Sequence, residues 1–300
     1  MSSTLIDFSN SLADAVERAG QNVAAIVEGG QAGVSGTIWS EGVVVTAAHT
    51  LRGREEVTLV LPSGSTTTAK VAGRDPGTDI AALRFTAPGS GKAQFAPLQD
   101  LKVGHVVLAV GRRPKSGVTA TYGIISAISE GFRTWTGGRI DVGFRLDLSP
   151  FRGFSGGTLI DSQGRVIGIN TSGPHRSVLT IPNTTVNRVV TQLLEKGHIA
   201  RGYIGVGVQP VEITESLQRS AGVKQESGLL LLMVSPEGPA EKAGLLVGDI
   251  LLSVNGEAVS DPRELQAVLD SESVGKQLKL TVLRGGKPSE FTVTITERGR

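Results

Sequence analysis

Arg152-Gly153-Phe154-Ser155-Gly156-Gly157-Thr158-Leu159-Ile160 is the stretch against which the rest of the chain is read. A serine with glycines at −2, +1 and +2 runs into apolar residues and then Asp161-Ser162-Gln163-Gly164, the pattern of a tight loop entering a strand. Glycine lets the backbone take crowded or left-handed geometry, so amide N–H groups can point into the space beside a hydroxyl. A serine alone is a weak nucleophile at neutral pH and needs a base, and an acid that orients the base. Gly-Ser-Gly-Gly also occurs in inert hairpin turns, so the stretch gains meaning only from its partners elsewhere.

Three hundred residues favour about two domains. Forty glycines, few aromatics and many short β-branched runs favour numerous short strands over helical bundles. Thirty Lys plus Arg against 28 Asp plus Glu leave a net charge of +2, too small and too scattered for nucleic-acid recognition. With no cysteine, the chain has no disulfide, thiolate or cysteine-ligated zinc chemistry. His105, His175 and His198 stand isolated, without paired metal-ligand spacing, so no metal or cofactor is expected. No run of eighteen apolar residues spans a membrane. The first twenty residues lack the basic start and apolar run of a secretion signal. Read literally, the chain is cytoplasmic; a chain trimmed of its signal would be periplasmic.

Leu5, Phe8, Leu12, Ala15 or Val16, and Ala19 recur at helical spacing, with Thr4 as a possible cap, and predict a lead-in helix over 1–22. Strand-like runs follow at 23–27, 34–39, 43–46, 57–60, 66–71 and 80–85, enough for a small barrel. A second set, 103–110, 118–128, 140–146, 158–160, 166–171 and 178–181, predicts another. The period then changes to 3.6, and Val186, Val189, Val190, Leu193 and Leu194 form one helical face, capped by Asn183 or Thr184 and ended by Gly197. Residues 23–197 are thus expected as one domain, 198–202 as a linker and 203–300 as a second domain of mixed strands and helices.

His49 closes the apolar run Val45-Thr46-Ala47-Ala48, and Asp79 lies where the loop Asp75-Pro76-Gly77-Thr78 enters a strand. With Ser155 they give the order His, Asp, Ser at separations of 30 and 76 residues. Each alone reads as a strand-end histidine or a loop cap, whereas the three together read as a catalytic triad. Thr-Ala-Ala-His, Thr-Asp-Ile-Ala, Gly-x-Ser-Gly-Gly and Val166-Ile167-Gly168-Ile169-Asn170-Thr171 resemble the corresponding segments of the HtrA/Deg family of trypsin-like serine proteases. So do Ile181-Pro182-Asn183-Thr184-Thr185-Val186 and Arg201-Gly202-Tyr203-Ile204-Gly205-Val206. The resemblance implies a mainly β protein, a chymotrypsin-like double β-barrel followed by one circularly permuted α+β PDZ domain.

On that footing Ser155 is the expected nucleophile, His49 the base, Asp79 its orienting acid, and the N–H groups of Gly153 and Ser155 the oxyanion hole. The specificity pocket is expected from Ile169, Asn170, Thr171, Leu179 and Thr180, which offer no acid for a basic anchor residue and favour small or medium apolar side chains. Tyr203, Ile204, Gly205 and Val206 resemble a carboxylate-binding loop for peptide C-termini, with Leu265, Val268 and Leu269 on the far wall. The resemblance further implies unfolded or damaged protein substrates, independence of ATP and a homotrimer. Two residues depart from the family pattern: Phe154 stands where asparagine is usual and Thr158 where proline is usual. Phe154 shifts the loop's support from polar contacts to packing. The competing expectation is a catalytically weak scaffold that binds peptides as an adaptor or holdase.

Overall fold

Strand β3 (Val43–Ala47) is buried at every position, and its alternation explains the architecture. Val44 points into one core with Ile26, Ile38, Leu59 and Leu83, whereas Val43 and Val45 join a second with Val110, Ile160, Ile169 and Leu193. The first core fills a closed barrel of β1 (Val23–Glu28), β2 (Gln31–Ser40), β3, β4 (Glu56–Val60), β5 (Thr66–Asp75) and β6 (Ile80–Phe85), ordered β1-β2-β3-β6-β5-β4. A six-stranded sheet follows, β7 (Val106–Arg113), β8 (Gly117–Arg133), β9 (Arg139–Asp147), β10 (Thr158–Asp161), β11 (Val166–Ser172) and β12 (Val178–Pro182), ordered β12-β11-β10-β7-β8-β9. Its end strands β9 and β12 approach each other, so this barrel is nearly closed around Ile125, Phe144, Leu159 and Ile167. This computed structural model describes all residues except 1, 29–30, 87–90, 135, 174–177, 270–272 and 298–300. The histidine at 175 therefore falls outside the described residues.

Helix α1 (Ser2–Gly20) starts before Thr4, so Thr4 is an internal residue and not a cap. Ala15 and Ala19 are buried, whereas Leu5, Ile6 and Phe8 are exposed. Helix α2 (Asn183–Lys196) buries Val186, Val189, Val190 and Leu193 and ends at Gly197, whose φ of 77° is the left-handed geometry expected of a terminator. The expected Asn183 cap is not made. Pro182 is the N-cap residue, and the Asn183 side chain turns inward, donating to the carbonyls of Ala96 and Val166 at 2.9 Å each. The buried Ala96 carbonyl needs a donor, and that requirement outweighs the cap. β8 runs 17 residues, well past the expected 128, because its far half pairs with β9 in a long hairpin arm.

The chain divides into two compact units, Met1–Ile199 and Ala200–Arg300. The second has its own core, including Ile204, Leu229, Leu251, Leu280 and Val293. Its main sheet is β14 (Val206–Glu212), β15 (Ser227–Val234), β16 (Ile250–Val254), β18 (Gln277–Arg284) and β19 (Lys287–Thr294), with β17 (Glu257–Ala258) beside β16. A two-stranded sheet pairs β13 (Gly202–Tyr203) with β20 (Thr296–Glu297). Helix α3 (Glu215–Ala221) is capped by Thr214, and the proline-containing stretch after β15 forms a single turn, α4 (Pro239–Lys242). Helix α5 (Pro262–Val268) opens with a proline in its first turn and a complete Asp261–Glu264 capping box. Leu269 lies outside it, as its C-cap residue.

One buried acid secures this unit. Asp249, only 2% exposed, receives Arg284 Nε at 2.8 Å and Nη2 at 2.7 Å, plus the Leu246 N–H at 2.8 Å. Burial would raise its pKa, but the Arg284 guanidinium and the Leu246 N–H outweigh burial and hold it below the usual value. A lowered folded pKa contributes stability present above the unfolded carboxyl pKa and lost as pH falls through the folded one. Asp249→Ala is expected to destabilise the second unit by about 2 kcal/mol at neutral pH, discounted for a part-exposed Arg284. Hydrogen exchange along β15 and β16 should report the loss, and it should shrink in acid.

Candidate active site

Strands β3 and β6 pair with Ala47 opposite Ile80, so the residues just beyond each end face one another. A short 3₁₀ turn, Ala48–Leu51, carries His49, and the turn into β6 carries Asp79. The Ala48 N–H donates to the Asp79 carbonyl at 2.9 Å and the His49 N–H to Asp79 Oδ1 at 2.8 Å. The imidazole Nδ1 meets Asp79 Oδ2 at 2.6 Å. Asp79 holds a φ of 57°, a left-handed conformation tolerated by aspartate but seldom adopted without a reason. Its loop is held by the buried Asp75, whose carboxylate accepts from the Gly77 and Thr78 N–H groups and the Thr78 hydroxyl. From the second barrel, Thr134 Oγ1 donates to the Gly77 carbonyl at 2.6 Å.

Asp79 has a further partner that sequence reasoning assigned elsewhere: the Thr171 hydroxyl donates to its Oδ2. Burial pushes the Asp79 carboxyl up, but the bonds from the His49 ring, the Thr171 hydroxyl and the His49 N–H together hold it below its ordinary value. The carboxylate is thus ionised at neutral pH and aimed at Nδ1, which leaves Nε2 to accept a proton. Thr171→Val is expected to lower kcat about tenfold with KM little changed, by loosening that aim. It should also cost about 1.5 kcal/mol of stability above the carboxyl titration range. By the same sign rule, that cost closes as pH falls through the folded pKa of Asp79.

The serine loop is fixed on both sides. The Ser155 carbonyl accepts from Ser35 N on β2 at 3.1 Å, and Gly156 N donates to the Asn170 carbonyl on β11 at 2.8 Å. Gly156, at φ 80°, sits so close to Thr46 and Ser35 that a Cβ would fall 2.2 Å from Thr46 Oγ1. Thr46 precedes His49 by three residues, so Ser155 is pressed beside the strand end that carries the histidine. Gly153 has a φ of 91°. Its N–H and that of Ser155 donate to no acceptor among the described residues, leaving two amide donors flanking the candidate nucleophile. The Phe154 ring meets Phe151 edge-on, with centroids 6.3 Å apart, so an aromatic pair supports the loop where an amide side chain is usual. Thr158 is fully buried with its hydroxyl on the Gly168 carbonyl.

The residues expected to line a specificity pocket are differently placed. Ile169, Asn170, Thr171 and Thr180 are at most 1% exposed, and only Leu179 shows partial exposure. Thr180 donates to Asn170 Oδ1 at 2.8 Å and Thr171 to Asp79, so these groups bond inside the wall, whereas the buried Asn170 Nδ2 has no hydrogen-bond partner among the described residues. β11 is packed on both faces, which alternating chemistry in the sequence did not reveal.

In the second unit, Gly205 has a φ of 80°, and its carbonyl accepts from Ser235 N at 2.8 Å while Ala240 N takes the Ile204 carbonyl at 2.8 Å. The Ile204 and Gly205 N–H groups have no acceptor among the described residues. The Tyr203 hydroxyl donates to Ser235 Oγ at 2.7 Å, tying the loop to the end of β15. β14 is an edge strand, with Val206 partly exposed at its start, and α5 packs near it. Ile204 and Leu265 are core residues at 2% and 4% exposure, whereas Val268 and Leu269 are only partly buried against that core. Ile204 therefore offers its N–H and not its side chain.

A β-barrel pair with serine, histidine and aspartate on its loops, followed by a β-edge peptide-binding fold, is the layout of a trypsin-like peptidase joined to a PDZ domain. Residues 34–169 match the trypsin-like peptidase domain family and residues 202–295 the PDZ domain family. The chain belongs to the HtrA/Deg family of serine proteases. It is 39% identical over 270 residues to a probable periplasmic DegP-like serine endoprotease of Brucella suis, covering 87% of this chain and 52% of that protein. It is 36% identical over 294 residues to the chloroplastic Protease Do-like 1 of Arabidopsis thaliana, covering 90% and 65%. The chain thus spans about half the length of the bacterial relative. Among solved structures, an HtrA-type protease AlgW with a tripeptide superposes with a TM-score of 0.73 at 30% identity over 96% of this chain and 98% of that one. The serine endoprotease from Yersinia pestis gives 0.74 at 28% identity, over 96% and 98%. No helix among the described residues is long and apolar enough to cross a membrane. The Brucella relative is named as a probable periplasmic protein, and a cytoplasmic location finds no support in it.

Proposed function

We propose that this chain is an ATP-independent serine endopeptidase that cleaves unfolded or damaged proteins. The observation that carries the reading is the 2.6 Å contact between His49 Nδ1 and Asp79 Oδ2, made by a carboxylate held ionised. Ser155 Oγ attacks a peptide carbonyl as His49 Nε2 takes its proton; a new C–O bond forms and the carbonyl π pair moves onto oxygen. The Gly153 and Ser155 N–H groups receive that oxyanion. The imidazolium, stabilised by Asp79, then protonates the leaving nitrogen as the C–N bond breaks. Water, deprotonated by the same histidine, releases the acyl group from Ser155.

In the PDZ domain, the free N–H groups of Ile204 and Gly205 receive a peptide carboxylate, and the peptide adds as a strand along β14 with its side chain toward Val206, Val268 and Leu269. The cleavage pocket takes a small or medium apolar residue, with Leu179 at its wall. The exposed Leu5, Ile6 and Phe8 of α1 supply a contact for a homotrimer. The periplasmic relatives favour an exported compartment.

Digestion of casein by the wild type and Ser155→Ala, with cleavage sites read by mass spectrometry, tests this. Fragments formed by the wild type alone, with apolar residues before the cut, are expected. Equal behaviour of the two proteins would sink the reading and leave a peptide-binding scaffold.

A further inference from the structure

Ser35 lies in β2, far in sequence from the serine loop and outside every motif that marks the site. It is completely buried, yet each of its polar groups is used. Its N–H donates to the Ser155 carbonyl at 3.1 Å, and its carbonyl accepts from Thr46 Oγ1 at 2.8 Å. Its hydroxyl accepts from Arg112 N at 2.9 Å and donates to the Gly153 carbonyl at 2.7 Å. The Arg112 carbonyl, at 3.5 Å, is too far to compete for that single hydrogen. Gly111 makes the room: a Cβ there would come within 2.7 Å of Ser35 Oγ.

Alanine would keep the β-carbon and lose only the oxygen with its two directed bonds, so what the hydroxyl adds is direction. A buried hydroxyl is costly unless its bonds are made, and these bonds end on the oxyanion loop. The Gly153–Phe154 peptide is gripped at both ends, its oxygen by Ser35 and its N–H by the Phe151 carbonyl at 3.2 Å. The two N–H groups without acceptors, Gly153 and Ser155, flank this gripped peptide. Arg112 in turn is immobilised, with Nε on the Val23 carbonyl at 2.6 Å and Nη2 on the Gly20 carbonyl at 2.9 Å. The hydroxyl thus refers the loop to a fixed point at the junction of α1 and β1.

We propose that Ser35 is a positioning residue that sets the oxyanion hole, its hydroxyl holding the Gly153–Phe154 peptide so that the Gly153 and Ser155 amides face the developing charge. The proposal deepens the protease reading and rests on it. Donors aimed in advance at a developing charge act on the transition state more than on the ground state.

The test compares wild type and Ser35→Ala on a fluorogenic peptide, with a peptidyl boronate as the tetrahedral mimic and with thermal unfolding of both proteins. The expected result is a kcat lower by at least about tenfold, with KM nearly unchanged and boronate Ki raised by the same factor. The acid limb of the pH profile should stay in place, since the His49–Asp79 pair is untouched. Unchanged kcat in a folded variant overturns the proposal, as does a loss that appears in KM or moves the acid limb. Should Ser35→Ala fail to fold, Ser35→Cys carries the test, because a thiol keeps the shape but donates weakly. A folded Ser35→Cys with full kcat overturns the proposal equally. A wild type that neither cleaves nor binds boronate defeats the protease reading itself.

Discussion

Asp79→Asn will lower kcat about ten-thousandfold while leaving the fold standing. Asparagine fits the same space and tolerates the left-handed φ of 57° that position 79 requires. What changes is the hydrogen on Nδ1. The carboxylate can only accept, so it fixes the hydrogen on Nδ1 and leaves Nε2 free as the base. An amide nitrogen turned to the imidazole would donate instead, drive the hydrogen to Nε2 and leave the serine facing a group that cannot take its proton. The His49 backbone N–H enforces this outcome, because it donates to the other oxygen, Oδ1, and claims the amide oxygen there, which turns the amide nitrogen to the side that faces the ring. Steady-state kinetics should show the loss almost wholly in kcat, and circular dichroism should show an unchanged fold. A loss below about tenfold would mean that orientation of the imidazole does not limit the reaction.

Gly156→Ala is expected to destabilise the first unit by about 4 kcal/mol and to abolish cleavage. Two independent costs meet at this residue. The φ of 80° is one that alanine seldom adopts, and the added methyl would lie 2.0 Å from the Ser35 carbonyl oxygen and 2.2 Å from Thr46 Oγ1. Neither neighbour can retreat cheaply. Ser35 is engaged with Ser155, Gly153 and Arg112, and Thr46 lies on the wholly buried β3. The chain would have to move the serine loop away from β2, which separates Ser155 from the strand end bearing His49. Urea unfolding and a casein assay check both halves of the expectation. A variant as stable as the wild type would contradict the close approach of the two barrels at this point.

These two positions mark what the chain shows as bare text. Gly156 and Asp79 stand in motifs, because tight turns and strand entries leave a local signature in glycine and aspartate. The barrel strands were likewise visible as short β-branched runs, and α5 by its proline and capping box. Contacts between segments distant in sequence left no such mark. Thr171 reads as one more β-branched strand residue until the fold brings it to Asp79, 92 positions away. Asn183 reads as a helix cap, yet its amide is drawn inward to two carbonyls at 2.9 Å. Ser35 is an ordinary serine in a strand until Gly153, 118 residues on, is placed against it. The burial of the expected pocket wall was hidden for a related reason. A strand packed on both faces has no outward side for its polar residues, so Asn170 and Thr180 bond to each other.

The most direct measurement is labelling of the native chain with a fluorophosphonate probe, with the modified residue located by mass spectrometry and His49→Ala run beside it. The hydroxyl of Ser155 should be phosphonylated in the wild type and left untouched in the variant. Labelling that misses Ser155, or that proceeds as fast without the imidazole, would contradict the account.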